Sequence, residues 1–275
     1  MNPIVSIITI NYNNFEGLNR TMQSIFNQKK KDFEYIVIDG GSNDGSLKLI
    51  EQNQDKINYW VSEPDKGIYH AMNKGIKAAN GTYLLFINSG DELFDDQVIE
   101  KCFPYFSEEY TCLSGDVVFF NDSEEVSVKK HPEKMTFKYA TSRIISHQST
   151  FIKRDSFLKY GYYNEENKIV SDSEFFFKIL ALNGVSYKSI DVKIAKFYFG
   201  GVSGDIILGL KETDDYYKKM LPYIYNNDYD TYIFNLFRVT NKRVNYLMDI
   251  ESNTLLRKIT TFFLMLLSKL SKHLK

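Results

Sequence analysis

The sequence predicts an α/β protein built on a mostly parallel central sheet with helices on both faces. Three observations lead there. Residues 5–87 alternate strand and helix patterns in the order β-α-β-α-β-α-β. The strands Val5–Ile10 and Thr82–Ile87 are near-continuous apolar runs, which suits strands covered on both sides. Strands end in clusters of Asn, Asp, Ser and Gly, and ligands of open α/β sheets bind beyond the carboxyl ends of strands.

Val5–Ile10 is the first strand, Tyr12–Gly17 a polar loop, and Leu18–Gln28 a helix. Glu34–Asp39 is the second strand. It runs into Gly40-Gly41-Ser42-Asn43-Asp44-Gly45 and a helix from Ser46, for which Ser42 and Asp44 are the natural caps. Asn58–Ser62 is a short third strand. The loop Glu63-Pro64-Asp65-Lys66-Gly67 leads into a helix over Ile68–Asn80, with Gly81 placed to stop it as a C′ glycine. Thr82–Ile87 is the fourth strand. Beyond about residue 100 the alternation becomes irregular. Thr111–Phe119, Val126–Lys130 and Gln148–Ile152 read as strands of a mixed region, and Asp172–Leu182 as a helix. From Leu210 the pattern is helical. We therefore expect a domain over residues 1–209 and a helical extension over 210–275.

Composition narrows the function. A formal net charge of −1 gives no global field for nucleic acid. Cys102 and Cys112 fit no zinc or redox spacing and read as reduced, partly buried thiols. The amino terminus has no basic n-region and becomes strand at once, so it does not read as a signal peptide. No apolar run is long enough to span a bilayer. A cytoplasmic protein is the expectation.

The chemistry concentrates at strand ends. Asn11 and Asn13 follow the first strand, where an Asn side chain serves either a base or the loop backbone. Asp39 ends the second strand before two glycines, where a carboxylate accepts from a base imide or a ribose hydroxyl. Those glycines form neither a P-loop nor a G-x-G-x-x-G fingerprint. Asp65 fits a helix cap as well as a ligand contact, and Lys74 a phosphate contact as well as a solvated face. Tyr83–Asp91 runs from a buried strand into Asn88-Ser89-Gly90-Asp91. A single carboxylate there suits Mg²⁺ or Mn²⁺ that takes its other ligands from a diphosphate and water. Asp172 and Glu174 open a helix, where the macrodipole favours acids. Side chains two apart point in different directions, so at most one faces a cleft as a general base. His147, a lone histidine before Gln148, reads as a packing or hydrogen-bonding residue.

Taken in order, Val5–Asn14, Asp39-Gly-Gly-Ser-Asn-Asp-Gly-Ser, Asp65-Lys-Gly-Ile-Tyr-His-Ala-Met-Asn-Lys-Gly, Gly81–Asp91 and Asp172-x-Glu174 resemble family 2 glycosyltransferases of the GT-A fold. The segment from Asp65 to Gly75 and the pair His147-Gln148 look most like bacterial members that build colanic acid and other surface polysaccharides. The resemblance covers roughly residues 4–205. It implies inverting transfer from a nucleotide-diphospho sugar, usually uridine-linked, to a glycan or lipid-linked hydroxyl.

It also implies roles. Asp39 contacts the base, flanked by Thr9, Asn11 and Asn13. Asp65, Gly67, Lys74 and Asn88 line the nucleotide, and Asp91 holds the metal. Asp172 is the first choice for the base and Glu174 the second, with His147 and Gln148 at the acceptor and donor pocket. The Gly200–Gly204 loop resembles one near the acceptor. Many relatives carry acids at the positions of Asn88 or Gly90, so metal affinity without nucleotide should be low. A sugar nucleotidyltransferase is the first rival, although Asn11–Gly17 lacks the basic residues it would need. A non-catalytic nucleotide-sugar-binding module is the second.

The last helix carries Leu255, Ile259, Phe262, Phe263, Leu266, Leu267 and Leu270 on one broad face, with Arg257, Lys258, Lys269 and Lys272 opposite. This pattern suits either an interfacial helix at the inner face of the plasma membrane, through residues 251–275, or packing against protein.

Overall fold

In the computed structural model, β1 (Val5–Asn11) pairs in parallel with β2 (Phe33–Asp39) on one side and β4 (Tyr83–Phe86) on the other. β3 (Tyr59–Ser62) extends the parallel set beyond β2. Residues 3–121, 124–140, 145–198, 206–222, 246, 250 and 253–273 are described. Among the described residues the strand order is β3-β2-β1-β4, then β8 (Thr150–Lys153), β6 (Cys112–Asn121), β9 (Tyr187–Tyr198) and β5 (Glu92–Leu93), with β7 (Glu124–Lys129) paired to β6. Beyond β4 the sheet is mixed, as the irregular pattern predicts. β8 joins β4 and β6 antiparallel, and β9 runs parallel to β6. β5 and β7 are antiparallel edges.

Alternation along the strands explains the continuous apolar runs. Val5, Ile7, Tyr35, Val37, Tyr83 and Leu85 face one core, which includes α1 (Phe15–Phe26) and α2 (Ser46–Gln52) through Leu18, Met22 and Ile50. Ile8, Ile36, Ile38, Leu84 and Phe86 face the other. That second core takes in α3 (Ile68–Ala78), α6 (Arg154–Tyr160) and α7 (Ser171–Phe176). Each large apolar side chain removed from water contributes about 1.5–3 kcal/mol, so both faces demand apolar residues. α4 (Val98–Cys102) and α5 (Phe137–Ala140) are short. Cys102 and Cys112 are free thiols, as expected, but fully rather than partly buried, and burial pushes both up to about 12.

Three local expectations are corrected. α3 ends at Ala78, with Ala79 already extended, so Gly81 is not its C′ residue. Gly81 is needed because a Cβ there would lie 2.5 Å from the Ser6 backbone nitrogen. Gly81→Ala should therefore destabilise the fold by about 1–3 kcal/mol as an overpacking change. Urea unfolding would measure it, and an unchanged midpoint would refute the close-approach argument. Ser42 does not cap α2 either. Its hydroxyl bonds Asp39, while Asp44 alone accepts from the backbone nitrogen of Ser46 at 3.1 Å and of Phe15 at 2.7 Å, holding the starts of two helices. The helix expected over Asp172–Leu182 is α-helical only to Phe176 and continues as a π-helix over Phe177–Leu182.

The chain divides into two compact units, Met1–Thr213 and Asp214–Lys275. α8 (Ile206–Met220) runs unbroken through residue 209, where the sequence pattern set the boundary. α9 (Thr254–His273) lies in the second unit. The Gly200–Gly204 loop lies outside the described residues.

Candidate functional site

Two polar clusters form at the carboxyl ends of the first four strands. The first is built on Asp39. Its side chain is fully buried, and each oxygen is taken twice. Oδ1 accepts from Asn11 Nδ2 at 2.8 Å and Ser42 Oγ at 2.6 Å, and Oδ2 accepts from the Ser42 backbone nitrogen at 2.9 Å and Ser62 Oγ at 2.6 Å. Burial alone would raise this carboxyl, but the four donors outweigh it and hold it below the usual range. Asp39 thus ties β1, β2, β3 and the Gly40–Gly45 loop together.

Around it, Asn13 takes a left-handed backbone, φ 48°, and its Oδ1 accepts from the Asn43 nitrogen at 2.9 Å. Asp65 Oδ1 accepts from the Gly67 nitrogen at 2.9 Å, and Gly67, at φ 128°, has a backbone that L side chains rarely adopt. Gly40 lets the Asp65 carboxylate approach, since a Cβ would lie 2.6 Å from its Oδ2. Lys74 is paired with Glu63 at 2.8 Å. Thr9 is not in this cluster. It is fully buried, and its hydroxyl donates to the Ile87 carbonyl at 2.7 Å, joining β1 to β4 inside the core.

The second cluster gathers Asn88, Asp91, His147, Gln148 and Asp172 beyond β4. Asp172 Oδ2 lies 2.7 Å from His147 Nδ1, and Oδ1 accepts from Tyr69 Oη at 3.0 Å and the Ser173 nitrogen at 2.9 Å. His147 Nε2 lies 3.3 Å from Asn88 Nδ2. Burial would raise the Asp172 carboxyl, but the His147 bond and charge, Ser173 and Tyr69 together hold it below the ordinary value. Burial would lower His147, yet Asp172 and then Asp91 raise it. Sequence reasoning separated these residues, whereas the fold makes His147 the link between the strand end and the acidic helix.

Asp91 is only 8% exposed. Burial pushes its carboxyl up to about 7, and the charge of His147 and a bond from Gln148 offset this only in part. The turn is pinned from α1. Thr21 Oγ1 donates to the Asp91 carbonyl at 2.6 Å and accepts from the Gly90 nitrogen at 3.1 Å. Asn14, at the head of α1, donates from Nδ2 to the Ser89 carbonyl at 3.2 Å and so also holds this turn.

Glu174 does not join them. Its Oε2 accepts from Asn167 Nδ2 at 2.7 Å and Asn164 Nδ2 at 3.4 Å, so it organises the loop before α7. Of the two acids, Asp172 is the one that meets the cluster. Tyr69 and Thr21 were missed. Tyr69 sits 103 positions from Asp172, and no local pattern signals that contact.

The family model described as Glycosyl transferase family 2 matches residues 6–168. The chain belongs to glycosyltransferase family 2. One relative, the PGL/p-HBAD biosynthesis glycosyltransferase of Mycobacterium bovis, is 28% identical over 211 residues, covering 74% of this chain and 81% of its own. The crystal structure of Staphylococcus aureus TarS residues 1–349 with UDP-GlcNAc has a TM-score of 0.61 at 17% identity, over 82% of this chain and 73% of that one. The mannosyltransferase PcManGT of Pyrobaculum calidifontis, with GDP-Man and Mn²⁺, has a TM-score of 0.59 at 14% identity, over 81% and 65%. At such identities the likeness carries the fold, which is the GT-A fold expected from the resemblance. In this family 2 glycosyltransferase the metal question rests on Asp91. Among the described residues no three His, Cys, Asp or Glu gather as a metal cluster. The buried, under-compensated Asp91 carboxylate fits a cation that takes most of its ligands from a diphosphate and water.

Proposed function

We propose that this glycosyltransferase moves a sugar, with inversion, from a uridine-diphosphate sugar to a hydroxyl of a glycan or lipid-linked acceptor in surface polysaccharide biosynthesis. The observation that carries the reading is the convergence of Asp91 and Asp172 on His147 beyond β4. In this reading Asp172, ionised and fixed by three donors, takes the proton of the acceptor hydroxyl as it attacks the anomeric carbon. The diphosphate departs in line, and no covalent intermediate forms. Asp91 would hold Mg²⁺ or Mn²⁺, which would neutralise charge developing on the leaving group. The Asp39 cluster floors the nucleotide side, with Asn11, Asn13, Asp65, Gly67 and Lys74 around it, and Asn88 reaches the nucleotide from the second cluster. His147 and Gln148 line the donor and acceptor pocket.

A panel of nucleotide sugars with Mn²⁺, read as protection against thermal unfolding, tests the donor class. A specific donor raises Tm by mass action, whereas a flat panel would sink the reading. Asp39→Ala should raise the donor KM and spare kcat, since the loops it braces would hold the nucleotide equally in ground and transition states. It should also lower Tm, because it strands four donors. A collapsed kcat at unchanged KM would contradict the role.

We also assign α9 to a membrane surface carrying anionic lipid. Leu255, Phe262, Phe263, Met265 and Leu267 are all more than half exposed. The chain beyond Glu251 carries Arg257, Lys258, Lys269, Lys272 and Lys275 and no acid, so anionic headgroups complement it. No helix among the described residues is long and apolar enough to cross a membrane. Co-sedimentation with anionic vesicles should retain the full chain and lose a version ending near Asp249. Equal partitioning of the two would assign the helix to protein contacts.

A further inference from the structure

One buried carboxylate stands outside both clusters yet bears on the second. Glu212, on α8, is 8% exposed. Its Oε1 accepts from the Lys168 backbone nitrogen at 2.7 Å, and its Oε2 from those of Ile169 at 2.9 Å and Val170 at 3.2 Å. A run of backbone N–H groups converging on one anion is a strong, charge-assisted arrangement. These three precede α7 immediately, and Asp172 follows two residues after Val170.

We propose that Glu212 is a positioning residue for Asp172, acting through the head of α7. The loop ahead of that helix is clamped twice, by Glu174 at Asn164 and Asn167 and by Glu212 at 168–170. Glu174 belongs to α7 itself, so its clamp moves with the helix. Glu212 comes from a different helix, 42 positions beyond Val170, and gives the loop an outside reference. Asp172 must meet both His147 and Tyr69, at 2.7 and 3.0 Å. A small slip of the helix head breaks one or both bonds. The core beneath is built from side chains that Glu212 does not touch. Phe175 and Phe176 pack in the second core, so the helix persists while its first turn loses its fixed position. The catalytic meaning rests on the proposed role of Asp172, but the coupling itself is a property of the folded chain.

The test uses the full chain labelled with ¹⁵N-histidine, with the His147 ring signals assigned from His147→Gln. In Glu212→Ala the His147 resonances should shift or broaden, while those of His70 and His131 stay in place. Glu212→Gln keeps one acceptor oxygen and should move them less, and it carries the test if the alanine variant does not fold. With a donor in hand, Glu212→Ala should lower kcat by about 10²-fold, the scale of a 1 Å misplacement, at unchanged donor KM. In an Asp172→Asn background it should cost nothing further. His147 resonances that coincide with wild type in both variants would overturn the proposal, as would an equal loss of turnover in both backgrounds. Shifted resonances in a chain that turns over no nucleotide sugar would support the coupling and sink the functional reading instead.

Discussion

Asp172→Asn should lower kcat by about 10²–10⁴-fold, the usual contribution of a general base, while donor still binds. The amide preserves shape: its one oxygen can still accept from Tyr69 and the Ser173 nitrogen, and its Nδ2 then donates to Nδ1 of a neutral His147, so the fold and the helix head are kept. What is lost is a group able to take a proton. Single-turnover nucleotide release with a matched acceptor would measure it. Glu174→Gln is the control. Its carboxylate is turned to Asn164 and Asn167, so its effect should be smaller and shared between stability and rate. A crippled Glu174→Gln beside an active Asp172→Asn would exchange the two roles. Loss in neither would place the base elsewhere.

Asp91→Asn should abolish metal-dependent transfer and, without metal, make the protein more stable at alkaline pH. The sign follows from its environment. Burial raises the folded carboxyl from 3.8 to about 7, so the native state holds a proton that the unfolded chain has released. The stability tied to that proton is complete below the unfolded value and is lost as pH rises through about 7. Above that, wild type buries an under-compensated charge that asparagine does not carry. Thermal unfolding at pH 8 should rank Asp91→Asn above wild type in chelator. Mn²⁺ together with a uridine diphosphate should reverse the order, because only wild type gains from the cation. Turnover that ignores chelator in wild type and variant alike would remove the metal from Asp91. Such a gain of stability would be the common trade-off where a buried charge is kept for activity.

The two variants probe residues of different legibility. Asp91 was readable from its own neighbourhood, since a buried apolar strand ending in small residues and one acid places that acid at the rim of an open sheet. Asp172 could not be separated from Glu174 by local pattern, because both sit where a helix dipole favours acids. Only the packing of α7 against α3 and the loop before β8 turns one towards His147 and the other towards Asn164 and Asn167. Thr9 failed for a related reason. Period-two alternation puts it on the core side of β1, where its hydroxyl serves the sheet.

The sequence by itself determined the class of fold, the four parallel strands and their order along the chain, the family, and the loops that carry the candidate site. These follow from short-range signals, namely hydrophobic period, turn residues and ordered motifs, each confined to a few neighbouring positions. Tertiary structure alone decided which side chains meet. Tyr69, His147 and Glu212 reach Asp172 or its helix across 103, 25 and about 40 positions, and Asp39 turns out to be saturated by its own loops. Such contacts depend on chain crossovers and on which face of each element is buried, and residue type and spacing do not encode them locally.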